Sequence, residues 1–231
     1  MTKVAVILSG CGHQDGAEIR ESVLSLLYLD QQGAAVEIFA PDITQASVMN
    51  HLTGAAMNEQ RNVLVEAARI ARGDIRSLSE LRADDFDALV IPGGFGVAKN
   101  LSDFAGKGTD CNVQPDFADA VQEFAAAGKP IGAICIAPAV IAAVLGKQYQ
   151  PTLTIGENKD VAGAIEAFGA KHRNAPSQEC VVDEKNRIVS CSAYMRDDSL
   201  TNIAKGIEAL VKEVLVLTNR TQNKDAHKRS A

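Results

Sequence analysis

Ile131-Gly132-Ala133-Ile134-Cys135-Ile136-Ala137-Pro138 joins a four-residue run without polar side chains to a cysteine, two small or apolar residues and a proline. The run Ile131 to Ile134, introduced by Gly128-Lys129-Pro130, has the length and unbroken character of a strand buried on both faces. A helix beginning near Pro138 follows, because proline is pre-organised for a first helical turn. Cys135 therefore falls on a tight strand-to-helix turn. A nucleophile on such a turn tolerates only small neighbours, and Ala133, Ala137 and Pro138 flank it. The unsatisfied N–H groups and dipole of the helix mouth favour its thiolate. An inert core cysteine has the same local sequence, since free cysteine is among the most buried residue types.

Working outward, the same grammar repeats. Val4 to Leu8 reads as a buried strand, about 17 to 31 as a helix with Ile19, Val23, Leu26, Leu27 and Leu29 near helical spacing, stopped by Gly33, and Ala35 to Phe39 as a second strand, giving a right-handed β-α-β unit. A polar insertion from Asp42, with a helix over about 58–72, precedes a strand at Ala88 to Ile91 that closes on Pro92-Gly93-Gly94-Phe95-Gly96. After a polar loop over 99–112, helices are expected near 115–127 and 160–168. A hairpin pairs Cys180-Val181-Val182 with Arg187-Ile188-Val189, and a last helix spans about 200–217. This alternation predicts an α/β fold, flavodoxin-like and doubly wound, with a mainly parallel sheet covered by helices on both faces. One domain over residues 1–218 is expected, with a polar, frayed tail over 219–231.

The 231 residues are 46% hydrophobic and 23% charged, ordinary values for a globular protein, and the net charge of −6 is spread as mixed signs. That distribution speaks against nucleic acid as a partner. No apolar run approaches the roughly 20 residues that cross a bilayer, so no membrane partner is expected. The start reads directly into a strand, so no cleavable signal is expected. Five scattered cysteines, Cys11, Cys111, Cys135, Cys180 and Cys191, suggest reduced thiols and a cytoplasmic location, and they do not cluster with histidines as metal ligands would.

In a doubly wound sheet the ligand crevice lies beyond the carboxyl ends of the strands, which points to Ser9 to Glu18, Gly93 to Asn100 and Cys135 to Pro138. Gly93, Gly94, Phe95 and Gly96 could supply backbone N–H groups to an oxyanion, or form a plain turn. The first loop, Gly10-Cys11-Gly12-His13-Gln14-Asp15-Gly16, imitates a dinucleotide fingerprint with the wrong spacing. Glu18, in the first turn of the following helix, could point at Cys135 as an acid/base or merely favour the helix dipole. His13, His51 and His172 are possible bases that no local context selects. Asn50-His51-Leu52-Thr53-Gly54 and Lys99-Asn100 could line a pocket wall or stabilise loops.

Val4 to Gly12 with Asp15-Gly16 and Glu18-Ile19, Asn50 to Gly54, Arg61 to Leu64 with Glu66 to Ile70, Pro92 to Gly96 with Ala98 to Ser102, and Cys135 to Ala139 together carry a family resemblance. They resemble the class I glutamine-amidotransferase-like superfamily in its PfpI-type branch of cysteine deglycases and glyoxalases. Within that branch they are similar to the ElbB (enhancing lycopene biosynthesis) family, over about residues 3 to 217. The resemblance implies a cofactor-free glyoxalase that converts glyoxal to glycolate, with deglycation of early aldehyde adducts as a related activity and a homodimer as the assembly. It assigns Cys135 as nucleophile, Glu18 as its hydrogen-bonded acid/base, and Gly94 and Ile136 as amide donors, with Gly93, Phe95 and Asn100 completing the substrate site. Superfamily peptidases place His directly after the nucleophile, where this chain has Ile136, and Ser192 to Arg196 lacks the Pro-x-His-x-Glu of glutaminases. Neither of those activities is expected. A non-enzymatic redox sensor built on a low-pKa Cys135 thiolate is the competing reading, and a dinucleotide-dependent oxidoreductase a third.

Overall fold

The computed structural model describes the backbone of residues 1–229 and the side chains of residues 1–219. Its strands are β1 (Lys3–Ile7), β2 (Ala35–Ala40), β3 (Met49–Asn50), β4 (Ala55–Ala56), β5 (Arg76–Ser77), β6 (Ala88–Ile91), β7 (Ile131–Ile134), β8 (Thr152–Leu153), β9 (Lys171–His172), β10 (Cys180–Asp183) and β11 (Ile188–Cys191). The helices are α1 (Ile19–Gln31), α2 (Val63–Ile70), α3 (Phe95–Lys99), α4 (Phe104–Lys107), α5 (Pro115–Ala126), α6 (Ala137–Tyr149), α7 (Lys159–Ala167) and α8 (Leu200–Arg229).

Seven strands form one sheet in the order β10-β11-β7-β6-β1-β2-β5, parallel except for the β10–β11 hairpin. From β1 the chain winds outward to β2 on one side, then returns to lay β6 and β7 on the other. That reversal opens a crevice at the carboxyl ends of β1, β6 and β7. Alternate side chains of the central strands feed two cores. Ala5, Ile7, Leu89 and Ile91 pack with Phe117, Phe124 and Ile141 from α5 and α6, while Val4, Val6 and Val90 pack with Ile207, Leu210 and Val214 of α8. The doubly wound, flavodoxin-like architecture read from the alternation is the one observed. Gly132 lets α8 lie close to β7, for a Cβ there would stand 2.9 Å from Leu210 Cδ2.

Several elements depart from expectation. The insertion helix is shorter than 58–72, because Asn62 caps α2 by accepting from the Val65 N–H and the chain before it pairs with Thr44. The stretch after Gly94 is helical rather than loop, first as α3 and then as α4. The last helix runs past the expected end at Leu217 to Arg229, so the backbone of the expected tail continues α8, and residues 230–231 lie outside the described residues.

Helix α1 turns an unexpected face inward. Glu21, Ser22, Ser25 and Leu29 are its buried residues, whereas the apolar Ile19, Val23 and Leu27, also spaced four apart, are 46%, 50% and 43% exposed. Ser22 and Ser25 satisfy their hydroxyls by donating to the carbonyls of Glu18 and Glu21, which makes this polar face fit to bury.

Candidate active site

Cys135 sits where β7 passes into α6, with φ at +62°, a left-handed conformation that a non-glycine residue adopts at a cost of about 1–3 kcal/mol. The surroundings hold it there. Its N–H donates to Cys191 O at 2.9 Å, continuing the β7–β11 ladder by one residue, and α6 starts two residues later with Pro138 in its first turn. Across the turn a Cβ on Gly93 would lie 2.4 Å from Cys135 Cβ, so only glycine lets the two loops meet. The amides of Gly94 and Ile136 both donate toward Sγ.

The carboxyl that reaches the thiol belongs to Glu21, not to Glu18. Glu21 is fully buried and hydrogen-bonded to Cys135, its Oε2 accepts from the Gly93 N–H at 2.9 Å, and its Oε1 accepts from the Tyr194 N–H at 3.3 Å. Burial, and then the nearby Glu18 charge, push its pKa up to about 8, so it carries a proton at neutral pH. Glu18 is the N-cap of α1, accepting from the Glu21 N–H at 2.6 Å, and it lines the pocket in front of the thiol. The expectation of a Glu18–Cys135 hydrogen bond is corrected by one helical turn.

Burial also pushes the Cys135 thiol well above its ordinary value, with the adjacent Glu21 adding to the effect. The Gly94 and Ile136 amides act in the opposite direction but do not outweigh it. The thiolate expected from the helix mouth is thus not the resting form, because removing the sulfur from water costs more than two amides return.

In front of Sγ lies a cavity of about 370 Å³, with Glu18, His13, Asn158 and Tyr194 as its polar walls and Phe95, Phe104, Val161 and Met195 among its apolar ones. The remaining expected site residues divide. Gly94 and Ile136 present amides to the sulfur, whereas the Gly93 amide is spent on Glu21 and the Phe95 amide on His13 O at 2.8 Å. The Phe95 ring borders the cavity, half-exposed. Asn100 is no substrate ligand. It is 6% exposed and ties three segments together, donating to Ser9 O and Asp15 O and accepting from the Ala46 N–H.

His13 reaches the cavity and meets His51 edge-on at 5.0 Å, while His51 itself braces the insertion against the first loop by accepting from the Gln14 N–H. His172 instead accepts from the Ile155 N–H, and burial lowers its pKa. The first glycine loop bonds to itself, Gly12 N–H to Ala17 O and Gly16 N–H to Gly12 O, and Glu18 occupies the helix start where a pyrophosphate would need to sit. The dinucleotide reading loses its motif on both counts. Glu21, Tyr194 and Asn158 were not singled out from the sequence. The spacing of Glu21 three residues after an N-cap carboxylate is that of a capping box, which hides its inward role.

A family model described as DJ-1/PfpI matches residues 12–200. The human glutamine amidotransferase-like class 1 domain-containing protein 3, mitochondrial, is 45% identical over 228 residues, covering 94% of this chain and 84% of the human protein. The rat ES1 protein homolog, mitochondrial, is also 45% identical, covering 94% of this chain and 85% of its own. The crystal structure of an isoprenoid biosynthesis protein with an amidotransferase-like domain from Ehrlichia chaffeensis superposes with a TM-score of 0.89 at 46% identity, covering 94% of this chain and 99% of that one. The fold is that of the class I glutamine-amidotransferase-like proteins, while the curated names differ from the expected ElbB assignment. The cytoplasmic expectation is overturned, because the human and rat relatives are both named mitochondrial. With residues 12–200 matched by its model and near-full-length relatives at 45% identity, this chain belongs to the DJ-1/PfpI family.

Proposed function

We propose that the protein is a cofactor-independent glyoxalase that converts glyoxal to glycolate, with Cys135 as nucleophile and Glu21 as its proton carrier. The observation that carries this reading is the hydrogen bond between a fully buried, protonated Glu21 and a thiol held on a strained turn at the head of a cavity. Sγ attacks one aldehyde carbon while its proton passes, through the Glu21 carboxyl, to the new alkoxide, giving a hemithioacetal. A carboxylate then removes the proton from that carbon and the neighbouring carbonyl carbon regains one, leaving a thioester of glycolic acid. Glu18, facing the cavity, is the carboxylate available for this step. Water cleaves the thioester, releasing glycolate and restoring the thiol. One carbon is oxidised as the other is reduced, so no external oxidant or reductant enters. The Gly94 and Ile136 amides stabilise negative charge at the sulfur as attack begins.

Deglycation of early aldehyde adducts belongs to the same reading, since consumption of free aldehyde draws a reversible adduct apart. The narrower ElbB assignment is supported by similarity to the Ehrlichia protein, which is named for isoprenoid biosynthesis. The exposed stripe Ile19, Val23 and Leu27 supports a homodimer, because an apolar helix face of this length is ordinarily covered. The test is incubation of purified protein with glyoxal, without thiol or metal additives, and quantification of glycolate for wild type, Cys135→Ser, Glu21→Gln and Glu18→Gln. Glycolate that vanishes with Cys135→Ser and falls steeply with Glu21→Gln supports the roles assigned. Wild-type output equal to the serine variant's ends the glyoxalase reading.

A further inference from the structure

The cavity in front of Cys135 is far larger than glyoxal needs. At about 30 Å³ for each water-sized group, a volume of about 370 Å³ holds on the order of a dozen non-hydrogen atoms, and glyoxal has about four. Much of the lining is apolar. Phe104, Val161 and Met195 contribute to it, the Phe104 ring backed by Phe168 at 6.2 Å, with the half-exposed Phe95 beside them. The polar lining residues are Glu18, His13, Asn158 and Tyr194.

Charge narrows the ligand further. Among the described residues no lysine or arginine lines the cavity. Arg20 donates to the Tyr194 hydroxyl at 3.1 Å and stands over that ring, close enough to Glu18 to interact with it, and Lys99 donates to Gln14 O at 2.9 Å from over the Phe95 ring. Both cations are engaged with the cavity wall, so the lining offers an anionic group on the substrate no unengaged cation.

We infer that the preferred substrates of this site are uncharged 2-oxoaldehydes carrying an apolar chain of about four to six carbons, the aldehyde placed at Sγ and the chain laid against Phe104, Val161 and Met195. The inference rests on the glyoxalase reading for its chemistry but on the cavity for its substrate class. The step balances as before. The thiol adds to the aldehyde, the proton on that carbon moves to the adjacent keto carbon, and water releases a 2-hydroxy acid bearing the chain.

Two measurements separate the substrate class from the chemistry. The first is kcat/KM for glyoxal, methylglyoxal, 2-oxohexanal and 2-oxooctanal on the wild-type protein. A rise of about threefold to fourfold for each added methylene, carried by KM, is expected for burial of the chain. The second is affinity of unreactive 2-butanone, 2-hexanone and 2-octanone for Cys135→Ala by ligand-observed NMR, where the same rise is expected. Ala105→Leu narrows the cavity from an exposed position and should flatten both series, with Val161→Phe as a second such variant. Ketone affinity that does not grow with chain length overturns the inference, even if glyoxal is turned over. Affinity that grows while no aldehyde reacts supports the ligand class and ends the glyoxalase reading.

Discussion

Cys135 and Glu21 meet across the crevice, yet the turns that carry them are held by different forces. The Cys135 turn is determined by its own backbone. One positive φ, an extra ladder hydrogen bond to Cys191 and a helix that starts immediately afterwards leave Sγ a single direction to point. The first turn of α1 is an ordinary capped helix, and nothing in its backbone says which of its carboxyls faces the sheet. Docking decides that. With Leu29 and the two self-satisfied serines inward, Glu21 is carried under Gly93 and Tyr194, and Glu18 is left at the cavity wall. A reacting group set by local strain keeps its place if the neighbouring helix shifts, whereas one set by docking moves with the helix.

The comparison breaks first at the sulfur. Cys135→Ser should lower kcat/KM for glyoxal by about four orders of magnitude or more, measured by glycolate release, because the hydroxyl is a far weaker nucleophile than the thiol. Next, Glu21→Gln should cost roughly 10²–10⁴-fold in kcat, the range of a lost proton carrier. A Glu21→Gln enzyme within a fewfold of wild type would mean that docking of α1 is irrelevant to the chemistry.

The stability of the docked turn offers a third test. Glu21 has a folded pKa of about 8, above the ordinary carboxyl value it has when unfolded. Its contribution is therefore complete below about pH 4.5 and is lost as pH rises through about 8, at a slope of about 1.4 kcal/mol per pH unit. Urea unfolding across that window should show the decline for wild type and lose it in Glu21→Gln. An equal slope in both proteins would assign the decline to other groups.

Two smaller effects sharpen the picture. Asn100→Ala should destabilise the fold by about 1–3 kcal/mol through its unpaired buried partners while leaving KM nearly unchanged, as expected of a brace and not of a substrate ligand. Glu18→Ala should cost about 1 kcal/mol of stability from the lost N-cap, visible as a lower unfolding midpoint.

These differences explain which parts were legible beforehand. The mainly parallel, doubly wound sheet follows from strand-length apolar runs alternating with helical periodicity, a signal written in consecutive residues, whereas the order of its strands and the two-residue edge strand β5 are set by tertiary pairing. The elbow was legible for the same reason, since Ile131 to Pro138 contains the strand, the turn, the small flanks and the helix start together. At Gly93 to Gly96 the glycines were recognised, but three of the four expected amides proved to be engaged within the protein, by Glu21, His13 O and Gly16 O. At α1 the sequence pointed the wrong way. Ile19, Val23 and Leu27 look like a buried stripe and are exposed, so the inward Glu21 went unnoticed behind Glu18.

By itself, then, the sequence determined the doubly wound α/β architecture, the location of the crevice and the placement of Cys135 on a strand-to-helix turn at its edge, because each depends on periodicity or on adjacent residues. Only the tertiary structure decided that Glu21 and not Glu18 is hydrogen-bonded to the thiol, that burial keeps both groups protonated, and that the cavity before them is large and lined mainly by apolar side chains. Those properties arise from side chains distant in sequence, from α1, β6, α4, α7 and the turn after β11, and their desolvation exists only once the chain has folded around them.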